Sequence, residues 1–590
     1  MEEFVESLTE EEGSLLQPFM TNLDRSVFCL RNLPEVVKGA LFSRYSRSDR
    51  SLRRILLDEF IKAQSLPEGS FPPASFAPEA HFTHIIGGGY DNSTDQLVAI
   101  QQAEAFYDRV LIGYGDDSVA ELGGAHIACE GISNIASIAL EDSRVGISPL
   151  EKSTRYVPFN QKIKGRYRYY REPSIIASEY AERYESTLDR LFDTYTALID
   201  PLLTWVQTCT PRDPDTSERA YKNATKAKTL DLLRGLLPMA TLTNVGLFGN
   251  GRAFEYLLVK FAASPHEEVR VLGSAMQQEL DQIIPSFVKR AKTERGAQYA
   301  RYLQTNRERT EQLAQKFFGQ SLPGAKSACE STLTGELCGR FRPASFAKTQ
   351  SSTPLIQLVE YDQDAEVKVV AAILYPHTDP PLAEIKDYVT NLSATERVEI
   401  INTYVGQRES RFHRPGRAFE EVYYTFDILA DIGAYRDLHR HRILTQEHQH
   451  YSVRHGYVVP VELELANLQA QMREALEYAA QTTELISSHL PDAAQYVVPF
   501  AYRVRWRIKL NLREVYHFVE LRSSRQGHPS YRAIAQEMYQ LIWAVHPTLV
   551  ANMHYVDLND YALQRLAAEQ RLDIKLKTQE GETGSKNHDS

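Results

Sequence analysis

Leu30, Leu33, Val36, Val37 and Leu41 recur at helical spacing near the start of the chain, and residues 1–84 read as a helical extension. The neighbouring cluster Arg44, Arg47, Arg50, Arg53 and Arg54 is expected to be a solvated helix face. Ser65–Pro78, rich in Pro, Gly and Ser, marks a boundary. Gly87-Gly88-Gly89 signals a loop without the spacing of a phosphate-binding loop. From Asp117 to Asp142 small and apolar residues run on, which predicts a helix buried on most sides over Glu121–Leu140. Ser118 is its expected N-cap and Glu121 the capping-box partner. The same reasoning predicts helices over Glu420–Leu438, Glu179–Trp205 and Asp231–Leu247, with polar Thr210–Ala227 separating the last two. Residues 291–353 read as a connector, because Gly, Pro, Ser and charge are scattered through Glu294–Thr353. Ile356–Tyr361 and Val367–Tyr375 are strand-like or helix-start segments. Residues 566–590 read as a polar, partly disordered tail.

These signatures occur twice in the same order. The helix over Glu121–Leu140 is followed by Asp142-Ser143-Arg144, and the helix over Glu420–Leu438 by Arg440-His441-Arg442. Leu237-Pro238 precedes Asn250-x-Arg252 at the spacing by which Val498-Pro499 precedes Asn511-x-Arg513. The chain therefore reads as two diverged copies of one domain, over residues 85–290 and 354–565.

Length and composition allow this. A chain of 590 residues, 43% hydrophobic and 24% charged, has room for several ordinary globular cores. The net charge of -11 argues against a nucleic-acid coat, and no DNA partner is expected. No apolar run is long enough for a transmembrane helix, and the acidic N-terminus is not a signal peptide, so a cytoplasmic protein is expected. The five scattered cysteines fit reduced thiols.

Several clusters offer chemistry. Arg440-His441-Arg442 places three donors at a helix C-terminus, where they either cap the helix or face phosphate or an electron-rich ring. Glu151-x-Ser153-x-Arg155-Tyr156 puts a carboxylate, a hydroxyl and a guanidinium on one face if extended, as a hydroxylated phosphate ester would need. The alternative is a surface ion pair. Arg234 precedes Leu237-Pro238, and Asn511, Arg513, His517 and Arg522 lie on one helical segment, where clustered cations call for an anion. His439, His441, His448, His450 and His455 fit no zinc signature, so ligand-facing or surface histidines are expected, and no metal. Lys162–Arg171 interleaves basic residues with tyrosine; an exposed hairpin is expected over a nucleic-acid stacking surface.

Taken together, these motifs resemble the flavin-dependent thymidylate synthases, which carry an Arg-His-Arg motif, a later Glu-x-Ser-x-Arg-Tyr, an Arg-x-x-Leu-Pro and an Asn-x-Arg helix ending in Leu-Arg. The resemblance implies an α+β fold of two tandem thymidylate synthase-like repeats, with long buried helices and a small sheet. Neither half is complete. The first has Asp142-Ser143-Arg144 in place of Arg-His-Arg and Phe261 at the late arginine. The second has His450 and Ser452 at the serine and arginine, Gln495 before its Val-Pro, and Asp437 where the family usually has glutamine.

The losses are complementary. By resemblance, Glu151, Ser153, Arg155 and Arg234 would hold the nucleotide, with Arg522. Arg440, His441, Arg442, Asn511, Arg513, His517, Asn250 and Arg252 would hold FAD, and Arg442 and Arg522 would polarise the base. The family draws each site from several subunits, so a fused chain is expected to compose sites from both halves and to pair as a homodimer resembling a tetramer. The implied reaction is reductive methylation of dUMP to dTMP, with methylenetetrahydrofolate as one-carbon donor and NADPH as reductant. The alternatives are a related flavoenzyme acting on another uracil-type substrate, or a non-catalytic nucleotide- or RNA-binding paralogue.

Overall fold

The computed structural model describes residues 7–46, 48–61, 119–143, 145–318 and 355–586. The Ser65–Pro78 boundary, the Gly87–Gly89 loop, Arg47, Ser118, Arg144, Cys329 and Cys338 lie outside the described residues. Two compact units emerge: Met1–Glu130 with Ala139–Glu151 and Asn244–Gln320, and Gly131–Ile138 with Lys152–Thr243 and Ser321–Ser590.

Helices α1 (Glu10–Leu16) and α2 (Glu35–Tyr45) come first. The first repeat then runs β1 (Gly124–Ile132), α3 (Asn134–Glu141), β2 (Ile147–Glu151), α4 (Ala181–Cys209), α5 (Glu218–Leu233), β3 (Thr243–Asn250), α6 (Gly251–Ala262) and α7 (Glu267–Ile283), followed by α8 (Glu294–Phe318). The second runs β4 (Ile356–Tyr361), α9 (Ala365–Leu374), β5 (Tyr423–Asp431), α10 (Ile432–Leu438), β6 (Leu444–His448), α11 (Gln469–Ser487), β7 (Arg503–Asn511), α12 (Leu512–Arg522) and α13 (Pro529–Val545), followed by α14 (Leu566–Lys586). One sheet has the order β1-β3-β2 and the other β4-β5-β7-β6. The inner order β5-β7-β6 repeats β1-β3-β2, so the duplication read from motifs is also a duplication of topology.

Both motif-bearing helices are shorter than expected. Glu121–Leu140 is a 3₁₀ turn, strand β1 and the short α3, and Glu420–Leu438 likewise resolves into β5 and α10. In β5 Tyr424, Phe426 and Ile428 are fully buried on one face, while Thr425, Leu429 and Ala430 are nearly so. A strand covered on both faces reads as an unbroken apolar run, which periodicity cannot tell from a buried helix. The switch to helix is set by caps inside the run: Ser133 Oγ accepts from Ala136 N and Asp431 Oδ1 from Ala434 N. The Ser118–Glu121 capping box lies partly outside the described residues; Glu121 takes a 2.6 Å ion pair from Arg252.

Asp231–Leu247 is also not one helix. α5 starts earlier, where Ser217 caps Ala220 N, and the chain turns at Leu237-Pro238 into β3. Glu294–Phe318, expected as connector, is helical, as is Val367–Leu374 within α9. The expected polar tail forms α14, where Asp573 accepts from both Ser217 and Arg219 of the α5 start and Glu569 accepts from Asn223.

Within the second unit the two copies meet through their Leu-Pro and Val-Pro turns. Met239 N donates to Val498 O and Phe500 N to Leu237 O, both at 2.9 Å. Ala240 N donates to Tyr496 O and Ala501 N to Gly235 O, again both at 2.9 Å. Each bond has its counterpart with the repeats exchanged, the signature of a two-fold interface, here within one chain. Helices α4 and α11 pack beside it, with Thr187 and Thr482 hydroxyls 2.8 Å apart.

Candidate functional site

The second unit collects the retained cations. α10 ends at His439, and the chain turns through Arg440, His441 and Arg442. Asn511 caps α12 by accepting from Glu514 N at 2.8 Å, which fixes the side chains that follow. One turn later His517 lies against His441, ring centroids 5.3 Å apart. Arg522 closes the helix and donates from Nε to His441 Nε2 at 2.9 Å. The proton of neutral His441 therefore sits on Nδ1, which donates to Glu514 Oε1 at 2.8 Å. Burial, then Arg522, His517 and Arg414, hold His441 well below its ordinary pKa. Burial with Arg414 and Arg411 lowers His517 to about 4, while burial lifts Glu514 to about 7 against the pull of Arg414, Arg513 and Arg522.

Two arginines of the first repeat lie in the same unit, but not free. Arg155 forms a bidentate pair with Asp231 of α5, Nε–Oδ1 and Nη2–Oδ2 both 2.7 Å. Burial opposes the Arg155 charge, and Asp231 more than offsets it, so the guanidinium is held protonated. Arg234 Nη1 donates to Asp437 at 2.7 Å. Burial disfavours the Asp437 carboxylate, yet Arg234, Arg155 and Arg440 hold it far below the usual carboxylate range. Tyr531 of α13 joins the repeats: its ring lies 6.0 Å from the Arg155 guanidinium and 5.6 Å from that of Arg522. His528, which caps α13, faces Asp231 O at 3.2 Å; burial and then Arg234 lower it to about 3.

Other expected residues take structural places. Ser153 Oγ accepts from Arg155 N, and Glu151 ends β2 in the first unit. Asn250 caps α6 through Ala253 N, as Asn511 caps α12. Arg252 is exposed with Glu121, Arg513 binds Pro415 O and Glu420, and Arg442 points to solvent. Phe261, the counterpart of Arg522, is a buried core residue in the first unit.

Of the clustered histidines, His441 alone joins the group around His517. His439 Nδ1 pairs with Arg436 O, His448 stacks on Tyr451, His455 faces Gln449 and His450 is exposed. The ligand atoms of His441, Glu514 and His517 lie within 4.8 Å of one another. Arg522 already donates to His441, and Arg411 and Arg414 act on His517, so the field favours an anion over a dication. In Lys162–Arg171, Lys164 and Gly165 form a tight turn with positive φ, and Tyr167 and Tyr169 are buried. Their partners are on α4: Asp193 takes Tyr167 and Lys162, and Glu185 takes Arg171. Those buried rings are not presented to stack on nucleic acid.

Asp231, Glu514, His528 and Tyr531 were not singled out in the sequence. The positions of Asp231 and Glu514 near the Arg-x-x-Leu-Pro and Asn-x-Arg motifs are the only local signal they carry.

The family model described as thymidylate synthase complementing protein matches residues 80–286 and again 357–548. The chain belongs to this family. Over nearly its whole length, 96% of the chain and 98% of the relative, it is 42% identical to a UPF0159 protein of Chlamydia pneumoniae. It is 25% identical over 207 residues to the flavin-dependent thymidylate synthase of Sulfurisphaera tokodaii, covering 33% of the chain and 75% of that protein. A flavin-dependent thymidylate synthase of Geobacter sulfurreducens is 26% identical over 204 residues, 33% of the chain and 84% of that protein. The family's double match agrees with the doubled β-sheet order. No described helix is long and apolar enough to cross a membrane.

Proposed function

We propose that the chain is an FAD-dependent thymidylate synthase whose site is composed from both repeats. The overall conversion takes dUMP, methylenetetrahydrofolate, NADPH and a proton to dTMP, tetrahydrofolate and NADP. The observation that carries this reading is the convergence of first-repeat Arg155 and second-repeat Arg522 on the Tyr531 ring.

The donor set around His441 suits a flavin. Arg411, Arg414 and Arg522 act on His517, and Glu514 is about half protonated near neutrality. Such a field favours an anionic or electron-rich group. Arg440, His441, Asn511, Arg513 and His517 would hold FAD in this reading, with Arg442 at the exposed edge. FAD, when bound, supplies two-electron redox chemistry. Arg522 polarises the uracil, and the Nδ1–H tautomer of His441, fixed by Glu514, keeps Arg522 directed. Ser153 would help orient the nucleotide. Two chains pairing as a homodimer would complete the assembly.

A second reading, a flavoenzyme acting on another uracil-type substrate, is favoured by Asp231 and Asp437, which neutralise the arginines assigned to the phosphate. The deciding experiment measures bound flavin per chain and then dUMP methylation. About one FAD per chain with dTMP formed supports the composite site. Flavin retained without dTMP transfers the reading to another uracil-type substrate, and no flavin after reconstitution overturns both.

A further inference from the structure

Arg565 stands just ahead of α14 and beyond the segment that the family model matches. Arg565 is 6% exposed, and its Nε and Nη1 are buried without a hydrogen-bond partner among the described residues. The guanidinium stacks on Tyr156 at 3.8 Å, and its electrostatic neighbours include Arg155, Asp231 and Tyr531. Tyr156 is itself 59% exposed, so this arginine lies where the buried array reaches solvent. Arg234 Nη2, in the same unit, is also buried without a hydrogen-bond partner among the described residues.

The local charges explain why this matters. Asp231 is committed to Arg155 and Asp437 to Arg234. Arg565 and Arg522 have no carboxylate of their own among the described contacts, although Asp231 and Asp437 act on them at longer range. A buried guanidinium with unused N–H groups is costly unless an anion meets it. We infer that Arg565 is an anion-binding residue of this site, and that it takes a phosphate group in place of the arginines neutralised by aspartate. Identifying the phosphate as that of a uracil nucleotide rests on the function proposed above; the anion site itself does not.

The test uses the full-length, FAD-reconstituted protein with Arg565→Gln and Arg565→Lys. Calorimetric titrations with inorganic phosphate, dUMP and deoxyuridine separate the sources. The expected result is that Arg565→Gln weakens phosphate and dUMP by about 10- to 100-fold. Arg565→Lys should recover part of the loss, and deoxyuridine binding should be unchanged. Without phosphate, Arg565→Gln should melt at or above the wild-type temperature; added phosphate should raise the melting temperature of wild type alone. Unchanged phosphate and dUMP affinity in Arg565→Gln overturns the inference, as does a large fall in its phosphate-free melting temperature, which would make Arg565 a structural residue. Phosphate binding that depends on Arg565, in a protein that does not methylate dUMP, upholds the anion site and rejects the proposed function.

Discussion

Asp437, just ahead of the Arg-His-Arg motif of the second repeat, accepts a 2.7 Å hydrogen bond from Arg234 of the first. The residue that departs from the family pattern is thus the counter-ion of a residue that keeps it. This pair joins the repeats and also sets the charge of the site.

Removing the Asp437 charge should expose that role. Asp437→Asn leaves Arg234, 3% exposed, without its carboxylate. The expected loss is about 3 kcal/mol, the low end for a broken buried pair because Asp437 itself is partly exposed. Urea unfolding should show a lower midpoint at unchanged slope. The double variant Arg234→Met with Asp437→Leu should recover most of the loss; a double variant whose loss is the sum of the two single losses would contradict the pairing.

Gly433 is the position that lets Arg234 approach α10. A Cβ there would stand 3.1 Å from Arg234 Nε and Nη2 and 3.0 Å from Asp431 Oδ1. Gly433→Ala should cost about 1–3 kcal/mol through this crowding. Its effect should be non-additive with Asp437→Asn, because both act on the same guanidinium. Additive losses in a double-mutant cycle would show that Arg234 is not displaced.

Glu514 and His517 give opposite pH signatures. Glu514 is raised to about 7 in the fold, so its contribution to stability is full below its unfolded pKa of about 4.3 and is lost as pH rises through about 7. His517 is lowered to about 4, so its contribution is present above about 6.5 and is lost as pH falls. Glu514→Gln should therefore gain stability relative to wild type between pH 5 and 8, by up to about 2–3 kcal/mol. Unfolding free energies across that range check the sign; a parallel offset at every pH would reject it.

Arg522→Lys should separate flavin binding from turnover. Lysine keeps the charge but loses the planar Nε–H that engages His441 Nε2. Turnover should fall by about 100-fold or more with flavin content retained. Loss of flavin together with turnover would place Arg522 in cofactor binding.

Much of the local structure was legible in the sequence. Asn250 and Asn511 occupy matching caps ahead of α6 and α12, and the repeated Leu-Pro and Val-Pro turns mark where the two copies pair. Short-range rules suffice for the caps, because the atoms involved are within a few residues of each other; that the two turns pair with each other is decided by the tertiary structure. The strand-to-helix switch at Asp431 is hidden because β5 is buried on both faces and carries no alternation to contrast with a helix; β1 exposes His126, Ala128 and Glu130, and there the small residues ahead of Ser133 fit either element. α14 was missed because its polar sequence lacks an apolar stripe, and its attachment is made by Asp573 and Glu569 to residues of α5.

The sequence by itself determined the duplication, the order of the motifs and which half kept which cations, since these are properties of spacing and residue type. Only the tertiary structure decided what those cations do. Arg155 and Asp231 are 76 residues apart, and Arg234 and Asp437 are 203 apart. No local pattern encodes such partners. They are selected by burial: in a low-dielectric interior each guanidinium must find a carboxylate or another anion, and the fold settles which one it meets.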